Sequence, residues 1–132
     1  EKLTALLTDK RNSLIEQIDN HAAKIYSTWT RFESEYRERQ TAAEAYKAAN
    51  YQGDCSRYIT DFAKRAGLNN QAATDLILVQ AAGLERLQVE LANQRMRKYE
   101  LKAPNLTIEQ IQSIYDDIIK QMDALMEAYN NG

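Results

Sequence analysis

The stretch from Leu3 to Ala49 constrains the fold more than any other part of this chain, because it contains neither glycine nor proline. Its apolar residues recur mostly at steps of three and four positions, the period of one face of an α-helix. They are Leu3, Leu7, Leu14, Ile18, Ala22, Ile25, Trp29, Phe32, Tyr36, Ala43 and Tyr46. The pattern predicts a single helix over about 3–50, roughly 70 Å long at 1.5 Å per residue. The rest of the chain must then fold back along it.

The composition favours an all-α fold. The 132 residues include four Gly and one Pro, which are few for the many turns of common β and α/β folds. Valine occurs only at Val79 and Val89, whereas the helix-forming residues Ala, Leu, Gln, Glu and Lys are abundant. A chain of this length is expected to form one domain, over 1–132.

Turn and capping residues divide the remainder into three predicted helices, over about 55–66, 71–101 and 107–129. Gly53 is expected to end the first helix in a left-handed conformation, and Asp54 to cap the second. Gly67 should end the second helix, and Asn69 or Asn70 should cap the third.

A proline and a capping pattern define the start of the last predicted helix. Pro104 cannot continue a helix and therefore predicts a loop. Thr107 and Gln110 have the spacing of a capping box, in which each side chain bonds to the other residue's backbone N–H. Apolar residues from Ile108 to Tyr129 then follow steps of three and four, which predicts a well-formed amphipathic helix.

Helix lengths predict an elongated antiparallel bundle of three long helices plus one short helix. In this arrangement the last helix packs beside the amino-terminal half of the first, and its acidic residues lie against the basic end of the third. Trp29 and Phe32 are expected in the core, and 76–79, apolar on all sides, is expected to be buried all round. The alternative is a compact four-helix bundle in which the first helix breaks near Gln40.

Charge and hydropathy exclude some classes of function. Seventeen basic and nineteen acidic residues give a net charge of −2, which argues against a nucleic-acid binder. No apolar run approaches the length of about 20 residues that a membrane span needs. A single cysteine leaves the redox compartment open. Periplasmic, secreted and cytoplasmic locations are all compatible, and the start at Glu1 leaves room for a removed leader or anchor.

The sequence supplies no catalytic, cofactor-binding or metal-binding residues that we would assign, and we expect no enzyme activity and no cofactor. His21 is the single histidine, and Ile18 stands where a Glu-x-x-His metal motif needs Glu. An ordinary histidine at the edge of the bundle is the favoured interpretation. Cys55 precedes a predicted helix, but Asp54 opposes a lowered thiol pKa and no partner base is evident. It is interpreted as a structural thiol.

Aromatic residues gather at the predicted turn between the first two helices. This aromatic turn consists of Tyr46, Tyr51, Tyr58 and Phe62. Two interpretations stay open: the second helix buries the rings as a minor core, or the rings form a contact surface for a protein partner.

The sequence therefore predicts a non-enzymatic helical bundle that acts through protein–protein interaction, as a scaffold, adaptor or assembly component. Its partner would be another protein or a second copy of the chain, with no nucleic acid involved. The alternative is a ligand-sensing helical bundle, such as the extracytoplasmic domain of a receptor.

Overall fold

A computed structural model describes residues 2–131, with side chains from Thr4 to Asn130. The all-α prediction is confirmed, since these residues contain helices and no strand. None of the helices described has the length and apolar character to cross a membrane. The elements are α1 Lys2–Trp29, α2 Glu33–Ala48, α3 Arg57–Ala66, α4 Asn70–Met96, a 3₁₀ helix Arg97–Lys102 and α5 Ile108–Asn131.

The predicted first helix is divided at the turn 30–32. A single helix over 3–50 is therefore wrong, and so is the alternative break near Gln40, which lies inside α2. The run 27–30 consists of Ser, Thr, Trp and Thr, all weak helix formers. Phe32 has left the helical conformation, with φ −120° and ψ 38°. It is 51% exposed, so its predicted place in the core is also wrong.

The contacts of the chain form two compact units. Unit 1 combines the described residues up to Thr28 with those from Leu87 onward, and unit 2 comprises Trp29–Arg86. The single domain and the elongated bundle concern the arrangement of these units and remain predictions.

Unit 1 buries the stripe of α1 and the stripe of α5. Fully or nearly fully buried are Leu14, Ile18, Ala22, Ile25, Leu91, Leu101, Ile111, Ile118 and Met122. The Tyr115 hydroxyl of α5 donates to Gln17 Oε1 of α1 at 3.0 Å, and Arg11 Nε donates to the Leu101 carbonyl at 2.7 Å. The bond between Tyr115 and Gln17 confirms that the last helix packs beside the amino-terminal half of the first. The side chain of Leu3, the first residue of the predicted stripe, lies outside the described residues.

Unit 2 has a smaller core, built mainly from alanine. One cluster of buried residues consists of Ala43, Ile59, Ala63, Ala73 and Ile77, from α2, α3 and the first part of α4, and Thr74 is buried as well. Small side chains let the three helices approach closely, but they remove little apolar surface from water. Trp29 is completely buried, as predicted, whereas Tyr46, Phe62 and Leu78 lie at the edge of this core.

Several helix ends lie where the sequence predicts them. Gly67 ends α3 in the left-handed conformation at φ 71°, and Asn69 Oδ1 accepts from the Ala72 N–H at 2.7 Å to cap α4. The start of α3 differs, because Ser56 rather than Asp54 is the cap. Its hydroxyl accepts from the Tyr58 N–H at 3.2 Å.

The capping box before α5 is confirmed in both directions. The Thr107 N–H donates to Gln110 Oε1 at 2.8 Å, and the Gln110 N–H donates to the Thr107 hydroxyl at 3.0 Å. Two backbone donors that the helix itself leaves unpaired are satisfied in this way.

We expect Thr107→Ala to lower the free energy of unfolding by about 1 kcal/mol, the usual cost of losing a side-chain cap. Chemical denaturation followed by circular dichroism measures the change. Ser113→Ala, at an exposed position inside α5, is the matched control and should cost nothing, because alanine is the better helix former. Equal stability of Thr107→Ala and the parent chain would show that the box does not stabilise the helix start.

Candidate functional site

The aromatic turn begins where α2 ends. The Asn50 N–H donates to the Lys47 carbonyl at 3.0 Å, and the Tyr51 N–H donates to the Tyr46 carbonyl at 2.8 Å. This pair of bonds is the Schellman motif, which satisfies carbonyls at a helix end. Asn50 takes the left-handed position at φ 55°, so the prediction that Gly53 ends the helix is wrong. Asparagine tolerates this conformation because its side chain can bond locally.

Tyr51 follows in the same left-handed region, at φ 59°. Such backbone geometry is an outlier for a bulky side chain and must be held by surrounding contacts. The ring packs edge-on against Tyr46, with centroids 5.8 Å apart and planes at 82°. The hydroxyl donates to Asp75 Oδ1 of α4 at 2.6 Å. That hydrogen bond raises the pKa of the Tyr51 phenol above its usual value.

The structure separates the predicted site residues into two groups. Tyr46 and Phe62 pack, half-buried, against the core of unit 2, as the minor-core interpretation expects. The Arg39 guanidinium lies 5.9 Å from the centre of the Phe62 ring, within cation–π range. Tyr58 is 43% exposed on the first turn of α3. Within the aromatic turn, the structure thus leaves Tyr58 as the outward-facing large side chain.

Cys55 also packs against the core of unit 2 and is half-buried. Burial raises the pKa of its thiol. Because the thiolate is the reactive form, this environment makes Cys55 a weak nucleophile. The position fits the interpretation of a structural thiol.

Charged side chains in unit 1 connect α1 to the end of α4 and to the 3₁₀ helix that follows it. Asp19 accepts from Lys98 Nζ at 2.9 and 3.0 Å and from Arg95 Nε at 2.9 Å. Partial burial acts to raise the pKa of the Asp19 carboxyl. The hydrogen bonds from Lys98 and then Arg95 outweigh it and hold the pKa below its ordinary value. Asp19 is thus an ionised carboxylate that joins α1 to α4 and to the 3₁₀ helix.

A second set of ion pairs joins the 3₁₀ helix to α5. Arg97 Nε donates to Glu100 Oε2 at 2.9 Å, and Arg97 Nη1 donates to Asp117 Oδ2 at 2.8 Å. The hydrogen bond from Arg97 lowers the pKa of Asp117. The prediction that the acidic helix lies against the basic end of the third is confirmed.

His21 Nε2 lies 2.6 Å from Asp123 Oδ1, between α1 and α5. The histidine is partly exposed, with 28% of its side chain accessible. This pairing matches the interpretation of a histidine at the edge of a bundle. Among the described residues, no group of three or more His, Cys, Asp or Glu is arranged to hold a metal ion.

Two residues important at the aromatic turn, Asp75 and Arg39, are absent from the set that sequence reasoning assigned to it. Asp75 is 24 positions from Tyr51, and only the folding of α4 against α2 and α3 brings them together. No local pattern in the sequence signals that contact.

Comparison with known proteins gives one informative similarity. Over 127 residues, 96% of this chain, the sequence is 51% identical to the uncharacterised 23.3 kDa protein in the lys 3′ region of Haemophilus phage HP1 (strain HP1c1). The chain spans 64% of the length of that phage protein. No family model matches the sequence. No solved structure matches it either.

Asp19 should make the free energy of unfolding depend on pH in the acid range. Its pKa is lower in the folded chain than in the unfolded chain, so its contribution is present above the unfolded value, about pH 4. It is lost as pH falls through the folded pKa. We expect Asp19→Asn to flatten the fall in the free energy of unfolding between about pH 5 and pH 2, measured by denaturant titration at each pH. Asp9→Asn, an exposed carboxylate of the same helix, is the control, and an equal effect of both changes would contradict the assignment.

The Tyr51–Asp75 bond predicts a pH effect of the opposite sign. Because the Tyr51 pKa is raised on folding, the bond stabilises the fold below the unfolded value, about pH 10. Its contribution disappears as pH rises through the folded pKa. We expect Asp75→Asn to lower the Tyr51 pKa, as followed by NMR of ¹³Cζ-labelled tyrosine. Asp54→Asn, in the same connecting segment, should leave it unchanged, and an unaltered Tyr51 titration in Asp75→Asn would rule out the bond.

Proposed function

We propose that this protein is a non-enzymatic helical protein that acts through protein–protein interaction, as a scaffold, adaptor or component of a larger assembly. The observation that carries the proposal is the backbone of Tyr51, a bulky residue in the left-handed region. Unfavourable backbone geometry of this kind clusters at functional sites, where surrounding contacts maintain it. Here the Tyr46 ring and the Asp75 carboxylate supply those contacts.

The aromatic turn then has two kinds of member. Tyr46, Tyr51 and Phe62 shape the surface, because each has a contact within unit 2 that fixes it. Tyr58 supplies contact area, since it is 43% exposed. Tyrosine suits this role because it offers a large rigid surface and a hydrogen bond at low cost in conformational entropy.

The ligand-sensing alternative has less support from the geometry. Small-molecule sites usually enclose most of the ligand surface. Two depressions found in the described residues are open: one runs along α5 beside Ile119 and Asp123, and the other lies at the turn before α2, beside Phe32. Neither encloses a ligand, whereas an ordered aromatic surface is suited to a protein partner.

We expect a photo-cross-linking residue at position 58 to capture a protein partner. Benzoylphenylalanine replaces Tyr58 with a ring of similar placement, and irradiation of cells that produce the variant should give one adduct of discrete mass, identified by mass spectrometry. The same residue in place of Glu44, exposed on α2, is the control and should give none. Absence of an adduct at 58, or equal yields at both positions, would refute Tyr58 as the contact.

With the captured partner in hand, Tyr58→Ala should weaken its binding about tenfold, within the range for an aromatic hot spot. Helicity should be unchanged, because the side chain is exposed and the Ser56 cap bonds to the Tyr58 backbone rather than to its ring. Binding is measured by calorimetry and helicity by circular dichroism. Undiminished affinity would contradict the proposal.

A further inference from the structure

The part of α4 that belongs to unit 2 carries an apolar face without a partner in that unit. The run 76–79 was expected to be buried on all sides, and this is wrong for two of its members. Ile77 is 4% exposed and faces the core, whereas Leu76 is 37% and Val79 68% exposed. Large exposed apolar side chains beside one another indicate an interaction surface when they form a continuous patch.

The patch is continuous along the helix. Ala72, Leu76, Val79 and Gly83 follow steps of four, three and four, the spacing of a coiled-coil seam. We call these residues the α4 seam. A Cβ atom added at Gly83 would meet nothing within 4 Å, so the seam is uncovered at its small end as well. The core residues Ala73 and Ile77 lie on a different side of the helix.

We propose that the α4 seam pairs antiparallel with the same seam of a second copy of this chain. The inference rests on the proposed function and deepens it, because it names one partner of a protein that acts through protein contacts. It concerns a surface separate from Tyr58, so either proposal can fail alone.

Charge complementarity selects a second copy as the occupant. Asp75 and Arg86 are both exposed. They flank the seam on one side, since at roughly 100° per residue they are about 20° apart around the helix and three turns apart along it. In an antiparallel two-fold pair, each flank of a helix faces the same flank of its partner. Asp75 of each copy then lies opposite Arg86 of the other, which gives two ion pairs.

The sizes of the seam residues fit the same symmetry. A two-fold axis near Gln80 places Leu76 of one copy opposite the open space at Gly83 of the other. Val79 lies close to the axis, where it would contact the second copy's Val79. Large residues opposite small ones allow two helices to interdigitate without voids. The pair 76/83 centres the axis at 79.5 and the pair 75/86 centres it at 80.5, so the apolar contacts and the ion pairs place the axis within one residue of Gln80.

Sedimentation velocity of the full chain over a range of concentrations tests the pairing. The parent chain should form a dimer, and Asp75→Arg alone or Arg86→Asp alone should weaken it about tenfold or more, because each places like charges opposite one another. A mixture of the two variants should dimerise again, since the opposite charges are restored between copies. The proposal is overturned if the parent chain is monomeric, or if the mixture dimerises no more strongly than either variant alone.

A second pair of variants tests the apolar contacts of the seam and leaves Asp75 and Arg86 unchanged. Val79→Asp should abolish the dimer, whereas Val89→Asp, at another exposed valine of α4 that is 62% accessible, should leave it intact. Tyr51→Phe removes the phenol that bonds to Asp75 and should also leave it intact, which separates loss of that bond from loss of the ion pair. Circular dichroism verifies that each variant is folded. A dimer that survives Val79→Asp overturns the proposal.

These results are distinguishable from those at Tyr58. A dimer that responds as expected while position 58 captures no partner refutes the aromatic turn and supports the seam. Capture at position 58 by a chain that remains monomeric supports the aromatic turn and refutes the pairing of copies.

Discussion

Burial of the α1 stripe together with the α5 stripe is the constraint on which unit 1 depends. Ile18, Ile118 and Met122 are completely inaccessible to solvent. Fully burying one such side chain stabilises a fold by about 1.5–3 kcal/mol, more than an exposed ion pair contributes. The ion pairs of Asp19 and Arg97 therefore act chiefly on register, because each specifies which turn of one helix lies beside which turn of another.

Unit 2 has a core of a different kind. Alanine supplies three of the five buried residues of the cluster, so the helices gain less from burial than those of unit 1. Local motifs at helix ends contribute more to the structure of this unit, including the Schellman motif at Asn50 and the left-handed cap at Gly67. Tyr58, Leu76 and Val79 are not part of this core and remain exposed. The surfaces proposed for binding are thus built from large side chains that the core of unit 2 does not use.

Local chemistry explains what could be predicted from sequence. The roles of Gly67, Asn69 and Thr107 depend on residues within a few positions, so the type of residue and its spacing suffice. The break at 30–32 could not be predicted, because Trp29, Phe32 and Tyr36 keep helical spacing across the turn. The burial of 76–79 was predicted wrongly for a related reason, since four consecutive apolar residues do not show which side of a helix has a neighbour. The bond between Tyr51 and Asp75 depends on tertiary folding alone.

Asp75 connects the two proposed surfaces through the geometry of a carboxylate. One oxygen, Oδ1, accepts from the Tyr51 hydroxyl, and a carboxylate has acceptor capacity on both oxygens. A guanidinium from a second copy can therefore bind Asp75 without displacing the phenol that holds the aromatic turn. Pairing of the α4 seam and order in the aromatic turn are compatible in one molecule. A dimer of this kind would present two aromatic turns, so that weak contacts at Tyr58 could combine into stronger bivalent binding wherever one partner reaches both.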